Sequence, residues 1–445
     1  MNYEQAIAFL QSFPDFERGL PGKKPTRNLR MPLKDMLAFL ESIGNPQNVV
    51  KTIHVTGSKG KGSTSTFITN ILQKAGFKTA LFTSPHIHSY TERLAFNLQP
   101  ISENFFAQGI TELQPYIEEF DEKFSTMSTF GILTALFFYL VSKAKPPIDW
   151  QIVEVGLGGK DDVTNVFEKK EAVVIAPISL EHTAILGTTR KAIAEIKAGI
   201  IMPNCLTILA KQKDPEVEKI IQEVCLEKQS QFISVTATSL PSSIKLHGAH
   251  QIENAATALT LAYALQDKGY KITEAAISEG LSSTFLPGRF EIIEPNPSTK
   301  NDWHFSIPIV LDGAHNGDSA LALAQTLENV FPERPVLFIL GLNQDKNLED
   351  IFLALKNKAR KIIVTKSKSY RSMSTQEISE RILACDNRAH IVCTIDMNEA
   401  LEAASEELLP DDIICVCGSF YLVAEAREIL VNDSPQSIVE YSLLT

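Results

Sequence analysis

Cysteine is scarce and unpaired in this sequence: six of 445 residues, at positions 205, 225, 385, 393, 415 and 417, with no CxxC pair and no histidine cluster at zinc-site spacing. The pattern speaks against a disulfide framework or a structural zinc module. Cys415 and Cys417 fall in the run IICVCG, where alternate residues of a strand share a face, so both are expected in a core. Long apolar runs are lacking too. The most apolar stretch, Phe130 to Val141, is too short for a membrane span and reads as a buried helix. The opening MNYEQAIAFLQSF has no basic n-region, long apolar segment or small-residue cleavage site, so the cytoplasm is the expected compartment. Basic residues are outnumbered, 42 to 53, for a net charge of −11. That balance disfavours a general nucleic-acid surface and leaves anionic substrates to local sites. There is no short tandem repeat and no low-complexity tract.

What is present is a regular alternation. Apolar runs of strand length alternate with amphipathic stretches of helix length, the pattern of parallel α/β domains. VVKTIHVT, KTALFTS, DWQIVEVG and AVVIAPIS read as strands. Between the first two, Phe67, Ile68, Ile71, Leu72 and Ala75 recur at helical spacing, which predicts a helix over Lys61 to Ala75. A polar stretch with Pro295 and Pro297 interrupts the pattern, and beyond it IPIVLDG, PVLFILG, KIIVTK, HIVCTI and DIICVCG read as a second set of strands. The chain is too long for one core, so two domains or three are expected. The expected division is an N-terminal α/β domain over 1–294, a linker over 295–305 and a smaller, doubly wound Rossmann-like domain over 306–445.

The segment HVTGSKGKGSTSTF places Gly57, Gly60 and Gly62 around Lys59 and Lys61, after a strand and before a helix. Glycines let the backbone approach an anion, a helix N-terminus offers unpaired N–H donors, and a lysine adds charge. Ser63 or Thr64 would offer a hydroxyl to Mg²⁺. The spacing differs from GxxxxGK[ST], because two residues separate Gly57 from Gly60 and a glycine follows Lys61. On this segment alone, a glycine-rich turn with solvated lysines is the alternative, and context has to decide.

The loop resembles the GTNGKGS or GTKGKGS loop of folylpolyglutamate synthases, relatives of the Mur peptide ligases. TSPH, YTER, EVGLGGKDDVTN, ISLEHTAILGTT, IAEIKAGI, HGAHQIENAATA and PGRFEII follow in that family's order, and LDGAHN, the Asp345–Lys346 pair and GSFYLVAE follow beyond the linker. The resemblance spans nearly the whole chain and implies that the N-terminal domain, 1–294, is P-loop ATPase-like. It implies an ATP-dependent, Mg²⁺-using ligase that joins L-glutamate to a folate or dihydropteroate carboxylate through an acyl phosphate, releasing ADP and phosphate. Positioning and charge neutralisation carry most of such a reaction.

The resemblance also implies roles. Lys61 would contact the nucleotide's β and γ phosphates, with Gly57, Gly60, Gly62, Ser63 and Thr64 supplying backbone or hydroxyl contacts. Ser63, Ser84, Glu154, His182 and Lys197 fall in the metal region, and Lys197 falls where the family often carries a lysine converted by CO₂ to a carbamate. His182 is carried by resemblance, since Mg²⁺ prefers oxygen ligands. Asn254 would lie near adenine, Arg289 on phosphate, Asp312 on ribose hydroxyls and His315 close to the reacting groups, with the nucleotide held between domains. Asp162 and Arg93 would serve the folate, and Lys346 and Ser419 the incoming glutamate. Three departures stand out: Glu181 where the family usually has Asp, Ile196 where Glu usually precedes the lysine, and Leu286 where Trp often precedes PGR. On the residues alone, Lys197 reads as a solvated helix lysine, Lys346 and Ser419 each as a solvated loop residue or a helix N-cap, and Arg93 as a loop ion pair.

The rival readings are a cell-wall Mur-type amino-acid ligase, a simple P-loop NTPase and a binding protein that keeps the fold without catalysis. GKGS in place of GKT and the YTER block favour folate. Dihydropteroate and reduced folate remain open as acceptors, and a monomer is the default state.

Overall fold

The structure, a computed structural model, describes residues 1–16, 19, 30–236, 239–295, 305, 307–431 and 442–443. It divides into two compact units: Met1–Ser243 with Ile252–Thr284 and Ser437–Thr445, and Ile244–Gln251 with Phe285–Gln436. Among the described residues the chain passes between them at Ser243/Ile244, Gln251/Ile252 and Thr284/Phe285. Most of the expected linker, residues 296–304, lies outside the described residues.

The first unit carries β1 (Lys51–Thr56), β2 (Thr79–Phe82), β3 (Leu94–Phe96), β4 (Gln99–Pro100), β5 (Ala144–Lys145), β6 (Trp150–Glu154), β7 (Ala172–Ile175), β8 (Leu206–Leu209) and β9 (Gln231–Ser234). Eight of these form one sheet in the order β4-β3-β2-β6-β1-β7-β8-β9. It is parallel from β2 to β9, while β3 runs antiparallel to β2 and β4 antiparallel to β3. β1 is central, in register from Lys51↔Trp150 to Val55↔Glu154 with β6. Its carboxyl end, with those of β6 and β7, opens where ligands bind in parallel sheets. β5 pairs instead with Ser442–Leu443.

Helices Glu103–Phe124 and Thr129–Lys143 bury an aromatic-rich cluster on one face, with Phe82 and Val153 from the sheet. Helices Arg190–Ala198 and Pro215–Glu227 pack against Val155, Val173 and Ile175. The Phe130–Val141 run lies inside the helix Thr129–Lys143, and among the described residues no helix is long and apolar enough to cross a membrane.

The helix after β1 spans Lys61–Lys74, as the apolar spacing predicts, with Ala75 as its C-cap. Gly60 starts it from the left-handed region, at φ 78°. Helix Glu274–Ser283 crosses it closely: a Cβ on Gly280 would lie 2.6 Å from Ile71 Cα, so only glycine permits the approach. Asn70 Nδ2 fastens the crossing, donating to Gly280 O at 2.8 Å and to Ser283 Oγ and Thr284 Oγ1 at 3.0 Å.

The second unit holds β10 (Glu291–Ile293), β11 (Ile309–Leu311), β12 (Val336–Leu340), β13 (Ala359–Val364), β14 (Ile391–Cys393) and β15 (Ile413–Cys417), ordered β10-β11-β15-β12-β13-β14. All run parallel except β10. β15 is buried on both faces: Ile413, Cys415 and Cys417 enter one apolar cluster, Ile414 and Val416 the other. Both cysteines are core residues, as the alternation predicts.

Candidate active site

The phosphate loop sits at the carboxyl end of β1. Gly57 has φ 148° and lies so close to Ala176 that a Cβ would approach its Cβ to 2.6 Å. Gly60 has no room either, since a Cβ would fall 2.2 Å from Asn254 Oδ1. Asn254, expected near adenine, is thus buried against the loop backbone. Lys61 opens the helix and is half-buried. The first N–H groups of a helix have no partner within it and favour an anion. Ser63 is buried, and Thr64 is fully buried with its Oγ1 lacking any hydrogen-bond partner among the described residues.

Glu154, the last residue of β6, faces this turn: its Oε2 would lie 3.5 Å from a Cβ on Gly62 and accepts from Ser84 N at 3.2 Å. Ser84 therefore meets Glu154 as expected of neighbours in one site. Among the described residues no three His, Cys, Asp or Glu side chains converge as a metal cluster. A divalent ion here would depend on Glu154 and on hydroxyl oxygens, of which Thr64 Oγ1 is buried and without a hydrogen-bond partner among the described residues. Hard oxygen donors of this kind fit Mg²⁺.

Lys61, Glu181, His182 and Lys197 line a cavity of about 10 Å³ beside Gly57, on the order of one water. His182 is exposed, at φ 44°, and precedes the short helix Thr183–Leu186. Lys197 is 1% exposed, on the inner face of Arg190–Ala198, not solvated. Its Nζ donates to Gly57 O at 2.9 Å and to Glu181 Oε1 at 2.8 Å. Burial pulls its pKa down to about 8; Glu181 opposes the shift and Lys61 adds to it. Burial pushes Glu181 upward, but Lys197 and Lys61 outweigh it and hold the carboxyl below its ordinary value. The absent acid at position 196 thus leaves the lysine an ion pair, supplied by Glu181.

The loop after β6 is shaped by Asp162. Its Oδ2 accepts from Leu157 N at 2.9 Å, and its Oδ1 from Thr164 N at 3.0 Å and Thr164 Oγ1 at 2.6 Å. A carboxylate has about four acceptor positions, so this buried group is largely engaged by its own loop. Thr164 Oγ1 has one proton and gives it to Asp162, so the 2.9 Å bond to His54 must be donated by His54 Nε2. His54 is then the neutral Nε2–H form. Burial, then the charge of Lys170, hold its pKa well below the ordinary value. Thr52, His54 and Thr56 alternate along β1, and that polar face was the sequence signal for this anchor. Lys170 is a further residue the motifs missed: its buried Nζ donates to Asn165 Oδ1 and Ile200 O at 2.7 Å each. Arg93, expected at the folate, is buried and donates from Nε to His86 Nδ1 at 2.8 Å.

In the second unit, Arg289 and the turn carrying Asp312 and His315 come together. Asp312 accepts from Phe290 N at 2.9 Å and Ala314 N at 2.8 Å. Burial raises its pKa to about 6 against the opposing charge of Arg289 and those two N–H groups. His315 Nδ1 lies 2.8 Å from Gly313 O, an acceptor only, so Nδ1 carries a proton. Ser419 is buried and caps the helix Phe420–Leu430, its Oγ accepting from Leu422 N at 3.1 Å. Lys346 pairs with Asp345 at 3.0 Å.

Residues 288–420 match the Mur ligase, glutamate ligase domain family. The chain is 29% identical over 439 residues to dihydrofolate synthetase of Saccharomyces cerevisiae, covering 90% of this chain and 98% of that one. It is 28% identical over 419 residues to dihydrofolate synthase/folylpolyglutamate synthase of Bacillus subtilis, covering 88% and 93%. Its fold matches Mycobacterium tuberculosis folylpolyglutamate synthase complexed with ADP and AMPPCP, with a TM-score of 0.82, 25% identity and 98% and 99% of the two chains covered. Two α/β units, a glycine-rich loop after the central strand and this second-unit match define an ATP-dependent ligase with a Mur-type glutamate ligase domain. Within that class, the chain is similar over nearly its whole length to dihydrofolate synthases and folylpolyglutamate synthases, and these likenesses support that family.

Proposed function

We infer that this protein is an ATP-dependent ligase that adds L-glutamate to the carboxylate of a folate or dihydropteroate. The observation that carries the reading is the first turn of Lys61–Lys74, where Lys61, the partnerless hydroxyl of Thr64 and Glu154 meet at one phosphate loop. The γ-phosphoryl group passes to the carboxylate oxygen, ADP leaves, and the neutral amine of glutamate attacks the acyl carbon. The C–O bond to phosphate breaks, phosphate departs and the amine loses a proton. The chain's task is to hold anions in line and offset their charge.

Lys61 and the loop N–H groups bind the β and γ phosphates, and Arg289 grips phosphate through paired N–H donors. Asp312 takes the ribose hydroxyls, and Asn254 orders the loop beneath the nucleotide. His315, with Nδ1 fixed by Gly313 O, presents Nε2 as the atom able to accept a proton when the ring is neutral. Glu154, Ser63, Thr64 and Ser84 would hold Mg²⁺, which neutralises phosphate charge when bound, and His182, which lines the cavity with Lys61, would complete the set. Asp162 and Arg93 build the folate side, and Lys346 and Ser419 the glutamate side.

Lys197 is read as the site of a carbamate, formed when its neutral amine adds CO₂ and releases a proton. At a pKa of about 8 roughly a fifth of the amine is neutral near pH 7.4, against roughly a thousandth for an ordinary lysine. The deciding experiment gives the pure protein ATP, Mg²⁺ and glutamate, with dihydropteroate or tetrahydrofolate added separately, and identifies products by mass. A product heavier by one glutamyl unit with matching ADP is expected. ADP release that follows a muramyl nucleotide and ignores both pterins overturns the reading.

A further inference from the structure

We propose that Phe420 is a positioning residue, whose ring sets the guanidinium of Arg289 against the Gly313 turn for nucleotide binding. The inference rests on Arg289 being a phosphate-contacting residue. Arg289 Cζ lies 4.4 Å from the Phe420 ring centroid, well inside cation–π range. The same ring lies flush on the turn after β11: a Cβ on Gly313 would be 2.2 Å from Phe420 Cε1. The His315 ring centroid is 5.9 Å from it.

The ring's base is itself fixed. Phe420 begins a helix capped by Ser419, and the preceding Gly418 donates to Ala314 O at 2.9 Å, with φ 107°. Gly313 in turn donates to Gly288 O at 2.9 Å, next to Arg289. Three loops, at 288–290, 312–316 and 418–420, therefore meet around one aromatic face. A ring face suits this task because it holds a guanidinium without using its N–H donors and without cancelling its charge. A carboxylate in the same place would do both. Phe420 is half-buried, at the start of a helix and, among the described residues, outside the two apolar clusters of the second unit, so its replacement is expected to leave that core intact.

The test compares Phe420→Leu, Phe420→Tyr and Arg289→Ala in the full-length protein, by calorimetric ATP binding and by KM and kcat for ATP, with thermal melts as a folding control. Phe420→Leu keeps bulk beside Gly313 but removes the π face; a rise of about 3- to 10-fold in Kd and KM for ATP is expected, with kcat changed less. Phe420→Tyr should stay within about twofold, and Phe420→Leu added to Arg289→Ala should cost little more, because the two residues act as one. If Arg289→Ala weakens ATP binding and Phe420→Leu does not, the role of Phe420 is wrong and that of Arg289 stands. Equal losses for Leu and Tyr also overturn it. If Arg289→Ala binds ATP normally, the phosphate reading of Arg289 falls and this inference with it.

Discussion

Lys197 Nζ lies 2.8 Å from Glu181 Oε1, an ion pair formed across sixteen residues of chain while the lysine's own neighbour is Ile196. The pair keeps a buried amine charged more than burial alone would, yet its pKa still settles at about 8. The neutral fraction should rise from about a tenth at pH 7 to about nine-tenths at pH 9. After rigorous CO₂ depletion, recovery of activity on adding bicarbonate should therefore be greater at pH 8.5 than at pH 7. Glu181→Gln removes the charge that favours the ammonium and should move that profile to lower pH. Lys197→Ala should lose about 100-fold or more in turnover. A fully active Lys197→Ala enzyme sinks the carbamate.

Lys61→Ala should lower kcat/KM by roughly 10²-fold or more, because one charge-assisted phosphate contact contributes a few kcal/mol in the transition state. Steady-state kinetics with saturating glutamate would check it. Near-normal turnover removes the phosphate loop from the reaction.

Asp162→Ala strips the acceptor from three donors of its own loop, two of them backbone N–H groups. A loss of about 2–4 kcal/mol in unfolding free energy is expected. Thr164→Val should cost less, since it removes only the hydroxyl that joins His54 to Asp162. Urea melts of both variants distinguish the cases. A stable Asp162→Ala protein that fails only in folate binding would assign the residue to the ligand alone.

Lys170 has its pKa lowered by burial to about 7, with Cys205 opposing and Lys228 adding to the shift. The folded value lies below the unfolded one, so the cost of burying the ammonium is full below pH 7 and fades as pH rises toward the unfolded value. Wild type should gain about 2–3 kcal/mol on Lys170→Met between pH 7 and pH 9, at 1.36 kcal/mol per pH unit. Denaturant midpoints across that range measure it, and a difference independent of pH refutes the shift.

The helix over Lys61 to Lys74 and the two-faced burial of β15 were legible because local periodicity carries them. The phosphate loop was legible because glycine, lysine and hydroxyl residues lie within eight positions of chain. Glu181 reaching Lys197 was not, since it depends on a turn with His182 at φ 44°. The engagement of Asp162 by Leu157 and Thr164 was hidden for a related reason: a motif names a carboxylate but not which donors it already serves. Phe420 reads as an apolar helix residue until the fold sets Arg289 over its ring. The passage at Thr284/Phe285 lies before the polar stretch because tertiary packing, not composition, decides where one unit's contacts end.

Asn70 stands nine residues into the helix that begins at the phosphate loop, and one of the three groups it grips is the hydroxyl of Thr284, the last residue of the segment Ile252–Thr284 before the chain enters the second unit at Phe285. With Gly280 seated on the Ile71 backbone, that point of departure is pinned to the phosphate helix like a bracket bolted to a beam. A displacement of the helix axis acts on Thr284 directly, through the Asn70 hydrogen bonds and the backbone contact of Gly280 with Ile71.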